Sequence, residues 1–268
     1  MRARLTIILL LLSFISSPSW GADFDKGFAA AKSGDFETAL RELPPLAEQG
    51  HARAQASLGM MYMMGTGVIQ DYKTAIKWHT LAAEQGNAHA QAALGILYQA
   101  GAGVPQDLKT AMKWYALAAE QGIAQSQASL GMMYMLGTGV IQDYKTAVKW
   151  YTLAADQGDA KAQANLGNLY QNGTGVVQDY KTAVKWYTLA AERGNAAAQA
   201  NLGLLFYDGR GVLQNDIYAH MWFNIGASNG DKVAIGNRDM VAKRMTSSQL
   251  EKAQNLAREC VAKNYKGC

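Results

Sequence analysis

Glycines at 50, 86, 122, 158, 194 and 230 stand 36 residues apart without exception, each closing a Glu-Gln, Asp-Gln, Glu-Arg or Ser-Asn pair. A period of that length, held over most of a chain, is the mark of stacked structural repeats. Other landmarks keep the same step. Leu-Gly stands at 58–59, 94–95, 130–131, 166–167 and 202–203, and an aromatic follows each of those glycines at Tyr62, Tyr98, Tyr134, Tyr170 and Phe206. Gly-x-Gly-Val begins at Gly65, Gly101, Gly137, Gly173 and Gly209, and a tryptophan completes the series at Trp78, Trp114, Trp150, Trp186 and Trp222.

Within one period, Ala52, Gln55, Gly59 and Tyr62 fall at helical spacing, as do Ala75, Trp78, Ala82 and Ala83. Gly65-Thr66-Gly67-Val68 breaks the chain between them, and Asp71 stands where an N-cap belongs. The spacing therefore predicts two antiparallel helices per repeat, of about 13 and 14 residues. A mid-helix glycine costs about 1 kcal/mol relative to alanine. Its recurrence at 59, 95, 131, 167 and 203 implies close helix approach, against an aromatic of the neighbouring helix. The tryptophans are expected in the core. Two short helices cannot bury both faces alone, so stacking of neighbours must complete that core.

The order A-x-A-Q-x-x-L-G-x-x-Y-x-x-G-x-G-V-x-Q-D-Y-x-x-A-x-K-W-Y-x-x-A-A-E-Q-G is read most cleanly at 160–194, where only Arg193 departs from it. These residues resemble the Sel1-like repeat family, relatives of the tetratricopeptide repeat, over about two thirds of the chain. The resemblance implies an all-α, right-handed α-solenoid of stacked antiparallel helix pairs that binds other proteins, often in bacterial envelopes or in bacteria–host contact. Five repeats occupy 51–230, an N-terminal capping pair 22–50, and C-terminal capping helices 231–268. In the first cap, Phe24 to Lys32 reads as a helix, Gly34-Asp35 as turn and cap, and Pro44-Pro45 should bend or stop the second helix. In the last, 232–244 reads as a helix, and Ser248 with Glu251 as the capping box of a final helix to about Lys263.

Arg2 and Arg4, the apolar run from Leu5 to Leu12 and the small residues Ser16, Ser17 and Ser19 follow the plan of a secretory signal, with cleavage expected after Gly21. The run is too short to span a membrane as a helix, and no second run of about 20 apolar residues follows. The mature chain is thus expected to be exported, in the periplasm or secreted, without an integral membrane segment, and to act as a monomer. Losing the two arginines lowers the formal charge from +4 to +2, which makes nucleic acid a poor partner. Cys260 and Cys268 are the only cysteines; an exported chain would join them in one disulfide, the alternative being two free thiols.

The stretch GTGVIQDYKTA, at 65–75 and again at 137–147, invites a phosphate-cradling reading. It lacks the third glycine of a dinucleotide loop and the Gly-Lys of a P-loop, no strand precedes it, and Asp71 would repel a phosphate. A catalytic acid or nucleophile is needed once, whereas the acids Asp71, Asp107, Asp143 and Asp179 repeat as caps. His51, His79, His89 and His220 form no metal motif, and neither a cofactor nor a metal is expected. Cysteine-rich relatives described as β-lactamase-like carry a C-x7-C pair in every repeat; here only Cys260 and Cys268 match that spacing, and S-x-x-K and K-T-G are absent. An envelope hydrolase acting on peptidoglycan or β-lactams is the alternative to a non-catalytic scaffold. A basic ridge is a further candidate, from Lys73 and Lys77, Lys109 and Lys113, Lys145 and Lys149, and Lys181 and Lys185.

Comparing the repeats with one another separates positions fixed by packing from free ones. The free first-helix positions are 53, 57, 60 and 64 with their images, a spacing that makes one helical stripe. In successive repeats it reads Arg53, Ser57, Met60, Met64; His89, Ala93, Ile96, Ala100; Gln125, Ser129, Met132, Leu136; Lys161, Asn165, Asn168, Asn172; and Ala197, Asn201, Leu204, Asp208. An apolar, methionine-rich trough passes into an asparagine-lined one, suited to an extended peptide or a partner's helix.

Overall fold

The structure, a computed structural model, describes residues 21–268, so the expected leader at 1–21 lies outside the described residues apart from Gly21. Among the described residues there are fourteen helices and no strand. They are α1 (Phe24–Ser33), α2 (Phe36–Glu48), α3 (Ala52–Met64), α4 (Tyr72–Glu84), α5 (Ala88–Ala100), α6 (Leu108–Glu120) and α7 (Ala124–Leu136). The second half holds α8 (Tyr144–Asp156), α9 (Ala160–Asn172), α10 (Tyr180–Ala191), α11 (Ala196–Asp208), α12 (Asp216–Ser228), α13 (Lys232–Ala242) and α14 (Ser247–Ala262). Consecutive helices pair, and each pair stacks on the one before, which makes an all-α solenoid.

The repeated loop explains where the helices stop and start. Gly65 ends α3 in the left-handed region, at φ 70°, and its N–H returns to the Met61 carbonyl. Gln70 Nε2 donates to the Met63 carbonyl at 2.9 Å and the Asp71 N–H to that of Tyr62 at 3.0 Å, closing the turn. Asp71 then caps α4: its Oδ1 accepts from the Lys73 and Thr74 amides, and its Oδ2 from Thr74 Oγ1 at 2.6 Å. The threonine hydroxyl foremost, then the amides, hold this carboxyl and those of Asp107, Asp143 and Asp179 below the usual aspartate range. A Cβ on Gly67 would lie 2.5 Å from Phe36 Cβ, so the loop leans on the start of the preceding second helix. The stretch that suggested a phosphate site is turn and cap.

Small residues bring the helices together. Ala75, Ala82, Ala111, Ala118, Ala147 and Ala154 are fully buried. Over each mid-helix glycine lies the ring of the residue after the tryptophan: a Cβ on Gly95, Gly131, Gly167 or Gly203 would stand 2.5–2.8 Å from Tyr115, Tyr151, Tyr187 or Phe223. In the first repeat His79 takes that place over Gly59. Neither nitrogen of His79 has a partner, and burial pushes its pKa down to about 4, so the ring is neutral. The tryptophans depart from expectation: Trp78, Trp114, Trp150 and Trp186 are only half-buried, and Trp222 alone of the series is enclosed. Their indoles edge the core clusters rather than fill them, with Lys77 and Lys185 lying over Trp78 and Trp186.

A row of buried glutamines joins the repeats. Gln55 Nε2 donates to the Ala47 carbonyl at the end of α2 (3.0 Å), and its Oε1 accepts from Gln85 at the end of α4 (2.8 Å). Gln91 with Gln121, Gln127 with Gln157, and Gln199 with Asn229 repeat the arrangement. It fails once. Gln163 still donates to Ala155, but Arg193 replaces the expected glutamine and Gln163 Oε1 is left without a partner.

The ends correct two expectations. Pro44 and Pro45 do not stop α2, which runs through both to Glu48 because Leu43 and Ala47 seat its inner face in the core. The capping box of α14 is Thr246 with Gln249, not Ser248 with Glu251. The Thr246 amide donates to Gln249 Oε1 at 2.9 Å, and Thr246 Oγ1 accepts from the Gln249 amide at 3.3 Å. Cys260 and Cys268 are disulfide-bonded, with Cα atoms 5.6 Å apart. The ring they close docks on the repeats, Tyr265 Oη donating to Asn229 Oδ1 and the Gly267 amide to Glu192 Oε1, each at 3.1 Å.

Along the array each first helix touches the next first helix, from α1 to α3 through to α11 and α13, and no comparable run of contacts joins successive second helices of the repeats. The solenoid therefore curves with its first helices on the inner side.

Candidate binding face on the first helices

The free positions face that inner side in three depths. Arg53, His89, Gln125, Lys161 and Ala197 are exposed, as are Met64, Ala100, Leu136, Asn172 and Asp208. In the 60 series, Met60, Ile96, Met132 and Asn168 are exposed and Leu204 half-buried. The 57 series lies deepest, with Ser57, Ser129, Asn165 and Asn201 half-buried between first helices. Ala93 is a correction: at 2% exposure it belongs to the core, because its methyl is too short to emerge between α3 and α7. The apolar members keep large exposed areas, Met64 at 61% and Leu136 at 57%, without a covering element.

The asparagines are not equivalent. Asn168 Oδ1 accepts from Tyr187 Oη at 2.6 Å and from Asn201 Nδ2 at 3.2 Å, so Asn168 supports a buried hydroxyl as well as lining the face. Replacing it disturbs packing, and a test confined to surface chemistry has to spare it. Asp208 pairs with Arg210 at 3.5 Å.

Two sets of residues on this face escaped the sequence reading. Tyr115, Tyr151 and Tyr187 come from the second helices, yet their hydroxyls reach the floor between first helices, where Tyr115 Oη donates to Gln99 Oε1 at 2.7 Å. Burial raises all three hydroxyls, that of Tyr115 to about 12, so they act as neutral donors. Their signal was available, since tyrosine alternates with histidine and phenylalanine at the position after tryptophan. The second set is the N-terminal helix. Phe24 stacks on His51 and Phe28, and Arg53 lies 4.2 Å over the Phe24 ring; Phe24, Phe28 and Arg53 line a cavity of about 410 Å³ with Met60 and His89. Read as a cap alone, α1 also extends the inner face.

The other candidates disperse. Among the described residues no group of three or more His, Cys, Asp or Glu could hold a metal ion. His51 caps α3, His79 and His220 are buried, and His89 stands on the inner rim. The paired lysines from Lys73 to Lys185 are exposed on the second helices. No helix among the described residues is long and apolar enough to cross a membrane.

The model of the Sel1 repeat matches five consecutive segments, 52–87, 88–123, 124–159, 160–195 and 196–231. Among solved structures, a Sel1 repeat protein from Oxalobacter formigenes is 32% identical with a TM-score of 0.73, the match covering 89% of this chain and 100% of that one. The protein c5321, described as a protective antigen present in uropathogenic Escherichia coli strains and displaying an SLR fold, is 30% identical with a TM-score of 0.61, over 90% of this chain and 61% of its own. No curated protein matches the chain.

Proposed function

This chain belongs to the Sel1 repeat family, and from that premise we propose that it is an exported, non-enzymatic scaffold that binds a protein or peptide along the inner face of its solenoid. The observation that carries the proposal is the coincidence of freedom and exposure. Most of the first-helix positions that differ between the repeats are turned to the inner side, and of their apolar members Met60, Met64, Ile96, Met132 and Leu136 stay exposed. A rigid stack of helix pairs presents such a surface already ordered, so little conformational entropy is lost on binding. Methionines at the N-terminal end suit an irregular apolar partner, and the amides of Asn165 and Asn172 suit a peptide backbone.

Export and a periplasmic or secreted location rest on the leader-like residues at the start and on the Cys260–Cys268 bond. The description of c5321 as a protective antigen agrees with an exported role. No observation favours a hydrolase.

The test begins with selection of a displayed peptide library on the full chain. Selected peptides are synthesised and titrated against the wild type and against a variant carrying Met60→Glu and Leu136→Glu. Binding weakened more than about tenfold, a loss of roughly 1.4 kcal/mol, with unchanged helicity supports the inner face. Peptides indifferent to these charges would sink it.

A further inference from the structure

The loop between the two helices of each repeat carries an apolar residue that packing does not hold. Val68 and its images are half-buried, but the residue that follows them is Ile69, Pro105, Ile141, Val177 or Leu213. Ile69, Ile141, Val177 and Leu213 are 88–91% exposed, the barest large apolar side chains among the described residues, and Pro105 is exposed as well. Single exposed apolar residues are ordinary on a protein surface. Five at the same place in five repeats are not scattered. The residue type changes while its apolarity stays, although the side chain touches almost nothing of its own chain.

The loops stand in file. As Gly67 leans on Phe36, a Cβ on Gly103 would meet Tyr72 and one on Gly175 would meet Tyr144, in each case the first residue of the preceding second helix. Packed helices lie about 8–10 Å apart, so the five tips make a row roughly 30–40 Å long on one edge of the array. That edge is positive. Each second helix from α4 to α10 has lysine at its second position and again four residues on, with its acid at the far end, as Lys73, Lys77 and Glu84 show in α4. Asp71, at the same edge, is engaged by the Lys73 and Thr74 amides and the Thr74 hydroxyl. Two lysines against one capping aspartate leave one positive charge beside the tip in each of the first four repeats.

Tips set a helix spacing apart, each followed by an exposed glutamine such as Gln70, build no continuous apolar core of the kind a protein interface needs. A fluid lipid surface closes round each tip separately and asks only that it be apolar, which is the one property the five share. Lysines beside such tips reach anionic headgroups while their stems stay with the apolar side chains. We propose that the loop edge is a docking surface for an anionic phospholipid bilayer, with Ile69 and its images entering the headgroup region and the lysines of α4, α6, α8 and α10 pairing with lipid phosphates. This surface is separate from the inner-face reading and stands without it.

The full chain is sedimented with phosphatidylcholine vesicles that contain or lack phosphatidylglycerol. One variant carries Ile69→Ser, Ile141→Ser and Val177→Ser, and another Lys73→Gln, Lys145→Gln and Lys181→Gln. The leader-like residues are common to all three chains, so differences between them report the edge. The wild type should prefer the charged vesicles. The serine variant should bind them about tenfold more weakly or worse, with an unchanged melting temperature because these side chains support no packing. The glutamine variant should lose about fivefold per lysine on charged vesicles and nothing on neutral ones. Wild-type affinity in the serine variant overturns the proposal, since binding then comes from the lysines alone or from another segment. A wild type that ignores charged vesicles overturns it too, and leaves the row to a protein partner.

Discussion

His79 occupies a place that three other repeats give to tyrosine, and the exchange should be visible as acid sensitivity. The ring is 1% exposed, lies against Gly59, and has no partner on either nitrogen. Burial lowers its pKa from 6.5 to about 4. Protonation is therefore easier in the unfolded chain. The stability that neutral His79 permits is complete above pH 6.5 and falls as the pH drops toward 4. Each unit of separation is worth about 1.4 kcal/mol, so the full loss approaches about 3 kcal/mol. His79→Tyr removes the titrating group and installs a ring already accommodated over Gly95, Gly131 and Gly167. Urea denaturation of both proteins is measured from pH 7.5 to 4, together with hydrogen exchange in α3 and α4, because stacked repeats also open locally. The difference in stability should widen below pH 6.5 with a slope nearing 1.4 kcal/mol per unit. His220, whose pKa burial also lowers, contributes equally to both proteins and cancels. The capping aspartates titrate below their ordinary 3.8, outside this window. Parallel curves for the two proteins would refute the reasoning.

Two further outcomes follow from the packing. Arg193→Gln should return a donor to Gln163 Oε1 and stabilise the chain by about 1 kcal/mol in urea denaturation; a neutral or negative effect would show that Gln163 is satisfied in solution by water. Gly131→Ala places a methyl 2.7 Å from the Tyr151 ring. It should lower stability by about 1–3 kcal/mol despite alanine's better helix propensity, and a melting temperature at or above the wild type would exclude the close approach.

What was legible in the sequence was whatever repetition announces. The cap at Asp71, the glycine that ends α3 and the ring over Gly95 are each written several times, so the reason for one instance explains all. The tryptophans differ from expectation because their recurrence marks a shared place in the repeat and not its depth. An indole at the edge of a stacked pair covers the seam and still meets water, while the tyrosine after it goes inside. Of the bend or stop that Pro44-Pro45 announce, the stop does not occur, because the burial of Leu43 and Ala47 keeps the helix going. Asn168 looked free because it varies between repeats, yet its partner is a tyrosine 19 residues away. Variation marks absence of a shared role, and a position can still hold a private one. Gln55 and its images were visible as a motif, but their bonds join residues 8 and 30 apart and belong to the stack.

The glutamine row and the glycine loops have a mechanical meaning. They run along opposite edges of the array, one tying the ends of successive second helices and the other leaning each turn on the start of the preceding one. In this chain the glutamine row has a single missing rung, between Gln163 and Arg193. The gap falls inside the fourth repeat, so α9 and the end of α10 are joined there by one hydrogen bond fewer than the helices of the other repeats, while the bond from Gln163 back to Ala155 is kept.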